Sequence, residues 1–343
     1  MIKQEIITTT TTQPLIKYTV DNGNGYAFSC LNFGATLTSI TMPDRDGKIS
    51  NILLGFDNPN DFLHDQTYFF GKAIGRVGGR IGGGTYRIDN SQYTLPKNEG
   101  HNTLHGGQNG FHHLWWNASE IENGIIFTRL IDSDVDGFPG KIDVSITYRW
   151  DRNNQLHIEF KGKNQSDFGT LFNPTTHNYF NLNHQKTDGL RHHELSILSD
   201  KILELGEDLI PTGKLINIDN TAFDFRKGQN LVTMLESVKQ WNVDGYDHPY
   251  KVTGPQVAIL RNTMNGRVVN IHSDRNALIF YSLNFTEPEI LVNEKNQLFP
   301  HMAIALEPQT LPDAIHHPNF GDIILPAKAE QTYHIRYDLS VED

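Results

Sequence analysis

Five segments of this 343-residue chain carry side chains able to move protons or grip a polar ligand. In residues 303–313, AIALEPQTLPD, Ile304 and Leu306 alternate with Ala303, Ala305 and Glu307 along an apolar run that meets Pro308. This reads as a buried strand with Glu307 emerging where the proline ends it. A carboxylate there is costly unless paired or put to use, and the apolar run favours use over a rim glutamate in water. In residues 172–183, FNPTTHNYFNLN, strand alternation from Thr176 sets His177, Tyr179 and Asn181 on one face, and Asn178, Phe180 and Leu182 on the other. A polar, aromatic face turned to a concavity would build a site. A core histidine beside a packing tyrosine explains the same pattern equally well.

The other three segments are polar turns and glycine-rich stretches. In HNTLHGGQNG, residues 101–110, His101 and His105 are four apart, a spacing that would suggest metal ligands on a helix. Gly100, Asn102 and Gly106-Gly107 oppose a helix, and the glycines leave His105 room to face a cleft. His101 reads equally as an ordinary loop residue. In GKAIGRVGGRIGGG, residues 71–84, neither a Gly-Lys-Ser/Thr ending nor a GxGxxG register is present, so a nucleotide loop is not supported. Either this is a surface turn, or the glycines let backbone approach a ligand that Arg76 or Arg80 then reaches. VDGYDHP, residues 243–249, sets two acids and a histidine in a turn, a weak signal without a partner. HExxH, CxxC and GxSxG are all absent, so most of the paired histidines His112-His113, His192-His193 and His316-His317 read as surface or structural.

The elements that must hold these residues are strands. Short alternating runs occupy residues 15–20, 26–32, 36–42, 125–131, 142–150, 156–162, 256–261, 268–272 and 278–285. Turn chemistry joins them, including Asn22-Gly23 and Asn265-Gly266, pairs that tolerate the positive φ of a tight hairpin. Strands so joined pair antiparallel and close into a sandwich or barrel. Helical spacing is confined to residues 58–63, after an Asn58-Pro59 start, and to 230–241, where Leu231, Leu235 and Val238 recur behind Asn230 as N-cap. With no repeat, linker or composition break, one all-β domain over residues 1–343 is the simplest organisation.

A formal charge of −11 would repel phosphate backbones and anionic lipid, so neither nucleic acid nor membrane is expected as a partner. A neutral sugar is indifferent to it. The N-terminal stretch, with its Thr8–Thr12 run, has no apolar segment of signal-peptide length, and no segment approaches the roughly 20 apolar residues of a membrane span. Cys30 is the only cysteine, which fits a reducing compartment, and the chain reads as cytoplasmic.

Taken in order, GRVGGRI, TLHGG, NPTTHNYFNL, DGYDHP and ALEPQTLPDAIHHPNFGD resemble the galactose mutarotase (aldose 1-epimerase) family from about Phe33 to the C-terminus. The resemblance implies a large antiparallel β-supersandwich and interconversion of the α and β anomers of a free aldohexose such as galactose or glucose. It makes Glu307 the general base, His177 the general acid and His105 the second active-site histidine. Arg80 and Asp247 become binders of sugar hydroxyls, with Gln309 and Tyr179 as further contacts. No cofactor or metal is implied. Many relatives carry Asn where Gly79 stands, and Asn where Thr176 precedes the central histidine; these departures bear on sugar preference more than on the reaction. The rival readings are a non-catalytic carbohydrate-binding protein, a metal-dependent enzyme built on the histidines, and a sibling epimerase acting on xylose or a hexose phosphate.

Overall fold

A computed structural model describes residues 1–10, 13–241 and 243–343; Thr11 and Thr12 of the N-terminal threonine run lie outside it. Strand makes up 47% of the residues and helix 9%, so the all-β expectation holds. The alternating runs become the long strands. In Ile142–Trp150 every second residue from Ile142 to Trp150 is buried while Asp143 and Arg149 are exposed. In Gln155–Asn164, Leu156, Ile158 and Phe160 face the same way. These two strands and seven others form a nine-stranded antiparallel sheet.

Its buried face packs against one side of a six-stranded antiparallel sheet. The strands of that sheet are β1 (Tyr179–Phe180), β2 (Ser199–Leu205), β3 (Pro211–Asn217), β4 (Asp247–Val252), β5 (Ala277–Tyr281) and β6 (Ile304–Gln309), in the spatial order β1-β6-β5-β4-β2-β3. Phe180, Ile202, Tyr250, Leu278, Phe280, Ile304 and Leu306 point into the shared core with Ile146, Tyr148, Phe160 and Tyr337 of the larger sheet. Successive side chains on a strand point to opposite faces. The other side of the small sheet therefore presents Tyr179, Ala305, Glu307, Gln309, Ile279, Tyr281, Asp247 and Pro249. That side carries the cleft described below. A five-stranded meander from Ile2 to Asn51 covers a further flank, and Cys30 is buried within it.

Both helical expectations are met in modest form. Pro59–Leu63 is a 3₁₀ turn capped by Asn58, whose side chain accepts from the Asn60 amide. Leu231–Val238 is an α-helix whose N-cap, Asn230, accepts from the Thr233 amide at 3.1 Å, and Leu231, Met234, Leu235 and Val238 are its buried stripe. Among the described residues no helix is long and apolar enough to cross a membrane.

Candidate active site

The centre of the site is set by β6. Its neighbour β5 pairs Ile279 with Glu307 and Tyr281 with Ala305, which fixes Glu307 on the open face. The strand does not end at Pro308, as its sequence suggested, but continues to Gln309, opposite Ala277. Proline is tolerated because β1 pairs only with Ile304 and Ala305, so Pro308 lies beyond the reach of that neighbour. Glu307 is consequently mid-strand and 2% exposed, with Oε2 unpartnered.

His177 meets it from the adjacent segment. The continuous strand expected from Thr176 is broken into two short pairings, Thr175–Thr176 against Ala73–Ile74 and Tyr179–Phe180 against β6. Between them the His177 amide donates to the Lys72 carbonyl, and the His177 carbonyl accepts from Gly71. Alternation survives the break. His177 and Tyr179 line the cleft, while Asn178 donates to Tyr337 in the core and Phe180 packs there. Asn181, expected on the cleft side, instead donates to the Lys186 and Met302 carbonyls. His177 Nε2 lies 3.3 Å from Glu307 Oε1, with side-chain exposures of 6% and 3%.

His105 stands beside the pair, its ring edge-on to His177 at 5.3 Å and to Phe69 at 5.1 Å. It is a loop residue at φ 52, not a helical one. Gly106 behind it has φ 83, and a Cβ there would sit 1.9 Å from the Gly75 carbonyl oxygen, so only glycine fits. The His105 amide donates to the Gly79 carbonyl, and the Gly79 amide donates to His105 Nδ1 at 3.2 Å. With Nδ1 accepting, the neutral ring carries its proton on Nε2.

Arg80, next along the glycine-rich segment, donates to Glu99 through Nε and Nη2, both at 2.7 Å, and its Nη1 is 4.0 Å from Asp247 Oδ2. Asp247 opens β4 opposite Tyr281. Two strand spacings, about 10 Å, separate the β4 and β6 backbones, room for one ligand ring between Asp247 and Glu307. Gln309 completes that wall; its amide is buried with neither end partnered. The enclosed volume is about 280 Å³, at the small end of ligand pockets.

Burial dominates the electrostatics. It pushes the Glu307 carboxyl well above the usual range, helped by Asp247 and opposed by Arg80. It pulls His177 down to about 3 and drives His105 well below an ordinary histidine, where His177 and Arg80 add to the effect. Burial also raises Asp247, with Arg80 pulling back. For His177 and Glu307, burial favours the neutral form of each, whereas their 3.3 Å approach favours the ion pair. Both forms hold one transferable proton between them.

All seven sequence-derived residues, Glu307, His177, His105, Arg80, Asp247, Gln309 and Tyr179, line this one cleft. Arg76 does not. It is fully buried and forks onto Asp136, with further bonds to Pro139 and Thr170. His101 is exposed outside the cleft. Thr176 is buried but is not among the lining residues, whereas Gly79 is, so only the latter departure touches the ligand space. The sequence reading missed Glu99, Phe69 and Tyr281. A half-buried Arg80 demands an acid, but nothing local says which. Phe69, at φ 55, packs against three histidines, and only the tertiary fold reveals it.

His105, His177 and Glu307 place ligand-type atoms within 4.8 Å of one another, so a metal must be considered. The donor set argues against it. His105 would have to bind through Nε2, which needs its proton on Nδ1, facing the Gly79 N–H donor to donor. His177 Nδ1 has no partner beyond its own backbone, whereas metal-bound histidines have that nitrogen held by an acceptor. The arrangement suits proton exchange and hydroxyl binding.

A β-sandwich with a buried histidine–carboxylate pair in a ring-sized polar cleft fits the class of sugar-converting enzymes. A sequence profile for the family described as Aldose 1-epimerase matches residues 17–338. The aldose 1-epimerase of Streptococcus thermophilus is 40% identical, over 98% of this chain and 97% of its own. The galactose mutarotase of Bos taurus is 32% identical, over 91% and 90%. The crystal structure of an aldose epimerase homologue from C. elegans superposes with a TM-score of 0.87 at 28% identity, covering 95% of this chain and 98% of that one. The chain belongs to the aldose 1-epimerase family. It is an enzyme, an aldose epimerase, on the galactose mutarotase-like fold.

Proposed function

We propose that residues 1–343 form one catalytic domain that interconverts the α and β anomers of a free aldohexose, galactose or glucose, with Glu307 as base and His177 as acid. The observation that carries this is the 3.3 Å between His177 Nε2 and Glu307 Oε1. The anomeric hydroxyl and the ring oxygen of a pyranose are bonded to the same carbon. An acid and a base within hydrogen-bond reach of each other can therefore address both oxygens at once.

Glu307 takes the proton of the anomeric hydroxyl while His177 delivers one to the ring oxygen; the C1–O5 bond breaks and an aldehyde forms. Rotation about C1–C2 exposes the other face of the carbonyl. The ring oxygen attacks, returning its proton to His177 as Glu307 gives one to the new hydroxyl. Each such transfer contributes on the order of 10²–10⁴ in rate. His105 offers its Nε2 proton to a sugar oxygen, the Arg80–Asp247 pair holds hydroxyls, and the Gln309 amide supplies both a donor and an acceptor. Tyr179, its ring 4.9 Å from that of His177, backs the imidazole.

Glu99, Asp247 and Glu307 outnumber the single guanidinium of Arg80 in the cleft, which weighs against a phosphorylated sugar. The net acidity argues against nucleic-acid or membrane partners, and the lone buried Cys30 supports a cytoplasmic setting. Polarimetry on freshly dissolved α-galactose and α-glucose tests the reaction. The wild type is expected to speed the approach to equilibrium, and Glu307→Gln to keep the fold and lose at least 99% of that acceleration. An undiminished Glu307→Gln rate would remove Glu307 as the base.

A further inference from the structure

We propose that Phe69 is a positioning residue for anomerisation, its ring a wedge that sets three imidazoles and keeps water from them. The inference rests on the reading of His177 and Glu307 as acid and base. To that pair it adds a residue that moves no proton itself.

The backbone at Phe69 is unusual for its side chain. Its φ is 55, in the left-handed region that a bulky residue seldom adopts. Gly71, next but one along the chain, has φ 64, and a Cβ there would sit 2.0 Å from the Leu37 carbonyl oxygen. Glycine answers that conformation at residue 71, whereas at residue 69 it carries a phenyl ring. The surrounding frame holds the chain in this shape. Asp65 accepts from the amides of Thr67 and Tyr68, and its carbonyl takes the buried Lys72 ammonium at 2.7 Å. The Lys72 amide donates in turn to the Phe69 carbonyl. Tyr68 and Phe70, on either side, stack on each other at 5.1 Å within the core. An unfavourable conformation held this firmly, at the edge of a site, points to a use for the side chain.

The neighbours of the ring say what that use is. Phe69 is buried, yet it belongs to none of the apolar clusters of the core. The rings it meets are those of His105 at 5.1 Å, His112 at 4.9 Å and His177 at 5.9 Å. His105 and His177 line the cleft with Phe69. His112 lies behind it, buried, with Nδ1 unpartnered and its ring bonded to the His105 backbone. The phenyl ring therefore closes the cleft on the side of His112, and its removal would open all three imidazoles to water. The other titratable groups facing this cluster are Glu307 and Asp247 from the small sheet, Arg80 from the glycine-rich segment, Tyr179 beside His177, and Lys72 and His113 near His112. Glu307 and His177 work with one proton between them. Water on the pair would favour both of its charged forms, the one with a second proton and the one with none.

The test is the pH profile of kcat for Phe69→Gly and Phe69→Leu, followed by polarimetry on α-galactose. Glycine suits the left-handed backbone, and leucine refills most of the apolar volume, so the two separate loss of the wedge from loss of the fold. In the wild type the rate falls when the pair gains a second proton at low pH, or loses its last at high pH. Phe69→Gly is expected to move both limbs inward by about one pH unit or more, and to lower the plateau about tenfold. Phe69→Leu should keep the limbs near their wild-type positions. NMR of the imidazole C–H protons gives a reading that does not depend on activity. His105, His112 and His177 should be silent between about pH 5 and pH 8 in the wild type, and at least one should titrate there in Phe69→Gly. Limbs that stay in place in Phe69→Gly overturn the inference, however far the plateau falls. Three imidazoles that remain silent in that variant do the same, as do limbs that move equally far in Phe69→Leu. A fully active Glu307→Gln enzyme would instead bring down the acid–base reading on which the inference rests.

Discussion

The molecule carries one histidine–carboxylate pair on the open side of its small sheet and three on the outer side of its large one, alike in distance and unlike in exposure. On the open side of the six-stranded sheet, His177 and Glu307 are 3.3 Å apart. On the outer side of the nine-stranded sheet, His272 is 3.0 Å from Asp338, His157 is 3.2 Å from Asp151, and His334 is 3.1 Å from Asp274. That outer face is richer in such pairs, and its hollow, about 1010 Å³, is larger than the cleft. Yet His334 and Asp274 are 60% and 42% exposed, against 6% and 3% for His177 and Glu307. In water two unit charges 4 Å apart attract by about 1 kcal/mol, and by about 4 kcal/mol in a partly desolvated setting. Water that reaches both groups solvates and screens them, so such a pair gains little from its contact. The buried pair has both neutral and ionic forms within reach, which is what a shuttled proton needs. Exclusion of water, more than proximity, sets the cleft pair apart and is the ground for proposing it, and not the outer pairs, as the catalytic one.

The largest test of this contrast replaces each histidine in turn by asparagine. His177→Asn is expected to lower kcat by on the order of 10²–10⁴, and His272→Asn to leave it unchanged, both read by polarimetry on α-galactose. A comparable loss in His272→Asn would erase the distinction between the faces. A smaller effect is expected at the cleft edge. Arg80 is held by a two-pronged contact with Glu99, which a lysine cannot reproduce. Arg80→Lys should raise KM about tenfold while kcat changes little, the pattern of lost hydroxyl binding felt equally in ground and transition states. A fall in kcat at constant KM would instead place Arg80 in the proton-transfer step.

How much of this was legible beforehand depends on whether the information is local. Ile142–Trp150 announces its buried face because a strand's period of two is written in its own residues. Asn230 announces a helix because a cap acts over three residues. Glu307 and His177 stood out as polar groups set into apolar or aromatic alternation, and they do meet. What failed was long-range. Arg76 and Arg80 sit four apart in the same glycine-rich segment, but Asp136, sixty residues away, claims the first and Glu99 the second. Pro308 looked like a strand end because the sequence does not show that one neighbouring strand is too short to need its amide. The break at His177–Asn178 was hidden for the same reason, since the backbone there is held by Gly71 and Lys72.

The smallest effect concerns stability, and it isolates burial from chemistry. Folding holds His177 near 3 against an ordinary 6.5. Between those values the unfolded chain binds more protons than the folded one, so this group's contribution is present above 6.5 and is lost as pH falls toward 3. Glu307 has the opposite sign: raised by burial, it contributes below the ordinary 4.5 and loses that contribution as pH rises through its folded value. His177→Asn deletes the first of these terms. The cavity it leaves costs the same at every pH, so only the burial term varies. Urea unfolding at pH 7 and pH 5 should therefore show the variant gaining about 1 kcal/mol on the wild type at the lower pH, a moderate figure because nearby Glu307 offsets part of the desolvation. If His177→Asn shows no such gain, the imidazole at 177 is as well solvated as one on the surface. The contrast between the two faces would then have to rest on something other than water.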